Sequence, residues 1–158
     1  MFQNYIQKST QKVLQILDIA VSEMVAMQQN LLTPDFILLA LLSQRDSEAV
    51  KILEGLVHDH KAAIDRIIEQ IHRHHQQAVP VSSSQVVASQ EVNEVFRIAD
   101  EEARGFGDDF IGTGTLFLAM FDVKAGYSAE LLKAIGISRE QAIERMAELG
   151  LPIPKKQG

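Results

Sequence analysis

The feature that most limits this chain is an internal repeat. Laying Ser9–Ile71 over Ala88–Gly150 without a gap, at an offset of 79 residues (Ala20 onto Ala99), matches Gln11 with Gln90, Val13 with Val92 and Ile19 with Ile98. It also matches Leu39-Ala40 with Leu118-Ala119, Leu53 with Leu132, and Ala63-Ile64 with Ala142-Ile143. Apolar positions stay in phase throughout, as in Ile16/Val95, Leu17/Phe96 and Leu42/Phe121. Periodic self-similarity of this kind marks copies of one supersecondary unit. The reading is a single domain over residues 1–158: repeat one 9–75, a linker 76–87 marked by Pro80 and a serine run, repeat two 88–150, and an exposed tail 151–158. Each half is too short to bury much apolar surface alone, so the halves are expected to share one core.

Each unit reads as four helices, which makes the fold class all-α with two pseudo-symmetric four-helix repeats. In the first, Thr10 caps a helix over about Gln11–Gln28, because a threonine hydroxyl accepts an orphan amide hydrogen of the first turn. Val13, Ile16, Leu17, Ala20, Val21, Met24 and Met27 form its stripe at helical spacing. Thr33-Pro34 opens the second helix, with proline at the first position, where its missing N–H costs nothing. The following FILLALL run is apolar all round and reads as a central buried helix. The third helix spans Ser47 to about Leu56, and the fourth runs from Asp59 into the histidines. In the second unit Ser89, Ser128 and Ser138 are the expected caps, with Gly112 turning into the Thr113–Phe121 helix. Ser138 and Gln141 have capping-box spacing. Gly105, Gly107, Gly136 and Gly150 are expected to end helices. No alternating strand pattern is visible.

Composition narrows the chemistry. The 158 residues carry 15 basic and 21 acidic side chains, five histidines and no cysteine. Without cysteine there are no disulfides or thiolates. A net charge of −6 with no basic block gives no surface for tracking phosphates, so no nucleic-acid partner is expected. No apolar run reaches the roughly 18 residues of a membrane span, and residues 1–12 lack a signal-peptide core. A soluble, cytoplasmic domain is the default expectation. Phosphate-loop, nucleophile-elbow and zinc-protease patterns are all missing, so no enzyme, cofactor or metal site is expected. His72 and His75 lie three apart and raise the alternative of a stand-alone ligand- or metal-binding helical protein. With no further ligands nearby, the histidines read as a solvated helix end, favourable to the helix dipole. The acidic run Asp100–Glu102 reads as a solvated face paired with Arg97 and Arg104.

The repeat carries a resemblance. The first copy reads Leu32-Thr33-Pro34-Asp35-Phe36-Ile37-Leu38-Leu39-Ala40-Leu41-Leu42, and the second Ile111-Gly112-Thr113-Gly114-Thr115-Leu116-Phe117-Leu118-Ala119-Met120-Phe121. With Ala129–Ser138 and the linker between copies, this is similar to the double Clp-N domain. That domain is the N-terminal module of ClpA-, ClpB- and ClpC-type protein-unfolding machines. The resemblance implies an eight-helix, non-catalytic platform that docks unfolded or tagged substrates or adaptor proteins for a Clp-type ATPase, in cis or in trans. In ClpC-like members a glutamate of each copy holds the guanidinium of a phosphorylated arginine. Here Asp35 and Gly114 stand at those places, and Phe36 and Thr115 replace the histidines that follow. The resemblance therefore implies a weakened first site, a second site without a carboxylate, and a shift toward apolar recognition. A groove between the units, bordered by the linker and the ends of each unit's first helix, is the expected docking surface. Met24, Met27, Phe106 and Phe110 are its candidate apolar residues, since methionine adapts to varied partners.

Overall fold

Hydroxyl caps set four of the helix starts among the described residues. In the computed structural model, which describes residues 2–76, 80 and 85–151 (for Phe2 the backbone only), Thr10 accepts from the Val13 amide at 3.3 Å and Ser47 from Val50 at 3.3 Å. Ser89 accepts from Val92 at 3.2 Å, and Ser138 from Gln141 at 3.2 Å. Most of the linker and of the tail assigned above lies outside the described residues.

The helices are α1 (Phe2–Ile6), α2 (Gln11–Ala26), α3 (Pro34–Ser43), α4 (Glu48–Leu56), α5 (His60–Gln76), α6 (Gln90–Gly105), α7 (Thr113–Ala119), α8 (Tyr127–Ala134) and α9 (Arg139–Glu148). Repeat one is α2 to α5 and repeat two is α6 to α9. Helices α3 and α7 sit at the centre: Pro34–Leu42 and all of α7 are buried. That burial explains why neither shows the one-sided stripe of a surface helix. Helix α2 packs on α3 and α6 on α7, while α4 reaches α7 and α9, and α8 reaches α3. Apolar residues from both repeats therefore form one continuous core. No helix among the described residues is long and apolar enough to cross a membrane.

Four features depart from the reading of the sequence. Helix α1 precedes the first repeat. Two short strands, β1 (Leu31–Leu32) and β2 (Val87–Ala88), pair in parallel, and an isolated parallel bridge joins Ser9 to Ile111. Pairs this short carry no alternation that a sequence could display. Ser128 does not cap α8: it lies inside the helix, fully buried, and the cap is Gly126 at φ +61°. A short 3₁₀ turn, Val123–Ala125, capped by Asp122, brings the chain to that glycine. Gly105 is the last residue of α6, and Gly107, at φ +81°, makes the left-handed turn after it.

The strand pairs obey the same 79-residue offset as the sequence. Leu32 pairs with Ala88, and its counterpart Ile111 pairs with Ser9, the counterpart of Ala88. The Ser89 amide donates to Leu32 O at 2.9 Å, and the Thr10 amide donates to Ile111 O at 2.9 Å. Each repeat thus hydrogen-bonds the lead-in of the other repeat's first helix, a reciprocal exchange about a pseudo-twofold axis.

Candidate apolar groove and the two helix-terminal sites

A concavity of about 820 Å³ lies where the repeats meet. Ile6 of α1, Leu14, Leu17 and Val21 of α2, Leu32 of β1 and Val86–Ala88 line it. Its polar lining comes from Gln3, Gln11, Asp18 and Asn93, so Asp18 is its single charged side chain among the described residues. Val87 is 49% exposed and Val86 43%. Exposed apolar residues in contiguous groups mark interaction surfaces rather than core. The end of the linker borders this groove, as the sequence suggests. The flanking helices, however, contribute α2 from its start to Val21 and the start of α6, not their C-terminal ends.

The residues singled out from the sequence lie elsewhere. Met24 is fully buried under α2 and cannot meet a ligand; its helical spacing placed it in the core stripe. Met27 is half-buried against the core. Phe106 is nearly buried and Phe110 is 55% exposed, and both line a separate cavity of about 430 Å³ with Glu48, Asp108, Asp109, Thr115 and Met146. The groove residues Leu14, Val86 and Val87 were missed. Leu14 flanks the buried stripe of α2, and the two valines read as linker.

Position 35 and its counterpart 114 both occupy the second residue of a buried helix, where the dipole favours negative charge. At the first, Asp35 is 4% exposed and its Oδ2 pairs with His75 Nε2. The His75 ring stacks on Phe36 (centroids 4.1 Å apart), and His74 stacks on Tyr127 of α8 at 4.4 Å. Burial pushes the Asp35 carboxyl up, but hydrogen bonding to His75 and Thr33, the charge of His75 and its own backbone amide together hold the group below its ordinary value. His75 is therefore not part of a solvated helix end, since its side chain is only 10% exposed, whereas Arg73, His74 and Gln76 beside it are exposed as the sequence suggests. His72 turns instead to Glu23, at 3.7 Å, so His72 and His75 do not converge. Among the described residues no three metal-ligating side chains come together.

At the second position Gly114 leaves space, and α4 fills it. A Cβ on Gly114 would stand 2.3 Å from Glu48 Oε2. This site therefore does have a carboxylate, supplied by another repeat and a residue remote in sequence. Thr115, in place of Phe36, caps α7: its hydroxyl accepts from the Gly112 amide at 3.1 Å.

The acidic run of α6 is only partly a solvated face. Arg97 reaches Glu101 at 2.7 Å, and Arg104 pairs with Asp100 at 3.0 Å rather than with Glu101. Glu102 instead takes Arg139 of α9 in a two-toothed pair, with bonds of 2.7 and 3.0 Å.

Fold and groove together define a class: a tandem-repeat helical domain that presents an apolar groove at the junction of its halves. Within that class the chain belongs to the Clp repeat (R) N-terminal domain family, whose model matches residues 8–135. Its backbone is similar to the N-terminal domain of the ClpV1 ATPase of the E. coli EAEC Sci1 type VI secretion system (TM-score 0.75, 17% identity, covering 94% of this chain and 88% of that one). It is also similar to the N-domain of ClpV from Vibrio cholerae (0.74, 18%, 94% and 89%). A third similar structure is the Hsp104 N-terminal domain from Candida albicans (0.74, 17%, 95% and 97%). A search of curated protein sequences finds no match.

Proposed function

We propose that this chain is the docking domain of a Clp-type unfolding, degradation or disaggregation system. It holds unfolded or tagged polypeptides, or an adaptor, for a Clp-type ATPase on the same chain or a separate one, in the cytoplasm. The observation that carries this reading is the groove of about 820 Å³ at the repeat junction, walled by Ile6, Leu14, Val21, Val86 and Val87. A concave, mostly apolar surface with few charges accepts varied apolar segments through side-chain packing, at modest affinity. The chain performs no bond-making itself and leaves ATP chemistry to its partner. Family membership supports the assignment.

A nuclear magnetic resonance titration of the full chain with a casein-derived apolar peptide tests it. Shifts are expected at Leu14, Val21 and Val87, with dissociation constants of about micromolar or weaker. Val87→Asp is expected to remove those shifts while the melting temperature stays put, because the side chain is half-exposed. Absence of shifts around the groove would overturn the proposal.

A further inference from the structure

The reciprocal strand pairing leaves one backbone edge closed and its counterpart open. In β2 the Val87 amide donates to Asn30 O and the Ser89 amide to Leu32 O, both at 2.9 Å. The groups of Val86 and Ala88 alternate to the opposite side, as in any strand. They have no hydrogen-bond partner among the described residues. At the equivalent place in the other half, Ser9 is not open. Its amide donates to Ile6 O at 3.1 Å, and its hydroxyl donates to Tyr5 O at 2.8 Å, so the turn after α1 covers that edge. Ser9 is 8% exposed, whereas Val86 and Val87, beside Ala88, are nearly half exposed. An uncovered strand edge is a template for another extended chain.

We infer that the groove takes its ligand as an added β-strand: an extended apolar segment of a partner polypeptide pairs with the free edge of β2 at Val86 and Ala88. Alternate side chains of that segment lie against Ile6, Leu14 and Val21. Charge complementarity defines the segment further. Asp18, the groove's one charged side chain, is exposed and has no ion-pair partner among the described residues. A lysine or arginine in the segment meets it, and an acidic residue there is rejected. Main-chain pairing supplies affinity without reading sequence, which suits a site that receives many polypeptides.

This inference rests on the docking reading above, and the experiment separates the two. The probe is an acetylated, amidated heptapeptide alternating valine with lysine. Its comparison is the same peptide N-methylated at the residues that would face β2, so the protein itself is unchanged. A helix-forming leucine–lysine peptide of equal charge serves as a second comparison. The expected result is slowed amide exchange at Ala88 and Val86 with the alternating peptide, and binding about tenfold weaker after N-methylation. Equal affinity of the two peptides, or groove shifts with no change in exchange at Val86 and Ala88, overturns strand addition and leaves docking standing. Tighter binding of the helical peptide, with unprotected Val86 and Ala88, overturns it as well. No shifts with any of the three peptides removes both readings.

Discussion

The two repeats place a carboxylate at the same spot by different means, and they differ in what stands over it. At Asp35 the charge belongs to the buried helix α3 and is closed off by His75 and the Phe36 ring. Beside Gly114 the charge arrives from Glu48 and fronts an open cavity with an exposed Phe110. A buried helix start with orphan amides calls for negative charge wherever it can be found. How that charge is then matched decides whether the site is part of the core or part of the surface. The first repeat uses a neighbouring histidine and becomes structural; the second leaves its acid accessible.

Substitutions can break or sharpen this contrast. Phe36→Glu is expected to abolish folding, since it buries an unpaired carboxylate at a cost of several kcal/mol. A cooperative melt with an unchanged midpoint would mean that the first site is open like the second. His75→Ala strands the Asp35 carboxylate and is expected to cost about 3–5 kcal/mol, a fall in melting temperature of about 10 °C. Glu48→Ala, which frees a half-exposed group, is expected to cost about 1 kcal/mol at most. Equal losses in the two variants, measured by chemical denaturation, would erase the distinction.

Acid titration tests the same pair. Because Asp35 titrates in the folded state below its ordinary value of 3.8, its stabilisation is complete above about pH 5 and is lost as pH falls through the folded value. Asp35→Asn should therefore lie well below the parent in stability near neutrality and approach it in strong acid. A constant gap across pH 2–6 would show that the carboxylate's charge plays no part. The smallest effects belong to the open site. Gly114→Asp is expected to cost about 1 kcal/mol by crowding Glu48, with most of that recovered in the Glu48→Ala background. A double-mutant cycle measures the coupling. Phe110→Glu should change stability by less than about 0.5 kcal/mol.

Much of the architecture was legible in the sequence, because caps and stripes are local. Thr10, Ser47, Ser89 and Ser138 announce their helices through residues three positions on, and the repeat offset holds down to individual strand hydrogen bonds. What escaped was non-local. His75 is matched to Asp35 forty positions away, so its local setting, a histidine-rich helix end, pointed to solvent. Glu48 fills a gap left by a glycine in the other repeat. Ser128 has the chemistry of a cap, but Gly126 takes the positive φ that starts α8 two residues earlier. The groove was harder still: Val86 and Val87 have no periodicity, and their role depends on where β2 is seated by β1. Among the candidates, Met24 followed the core stripe into the interior.

The reciprocal pairing of lead-ins also governs how the chain reaches this state. Ser9 meets Ile111 only across the whole of repeat one, the linker and α6, and Leu32 meets Ala88 only across α3 to α5 and the linker. Those closures carry chain entropy that no single repeat can recover by itself. Neither half contains both partners of either strand pair, despite the duplicated sequence. Pairings between residues so far apart along the chain raise the contact order of the fold, which is expected to slow folding relative to a domain built from local contacts alone.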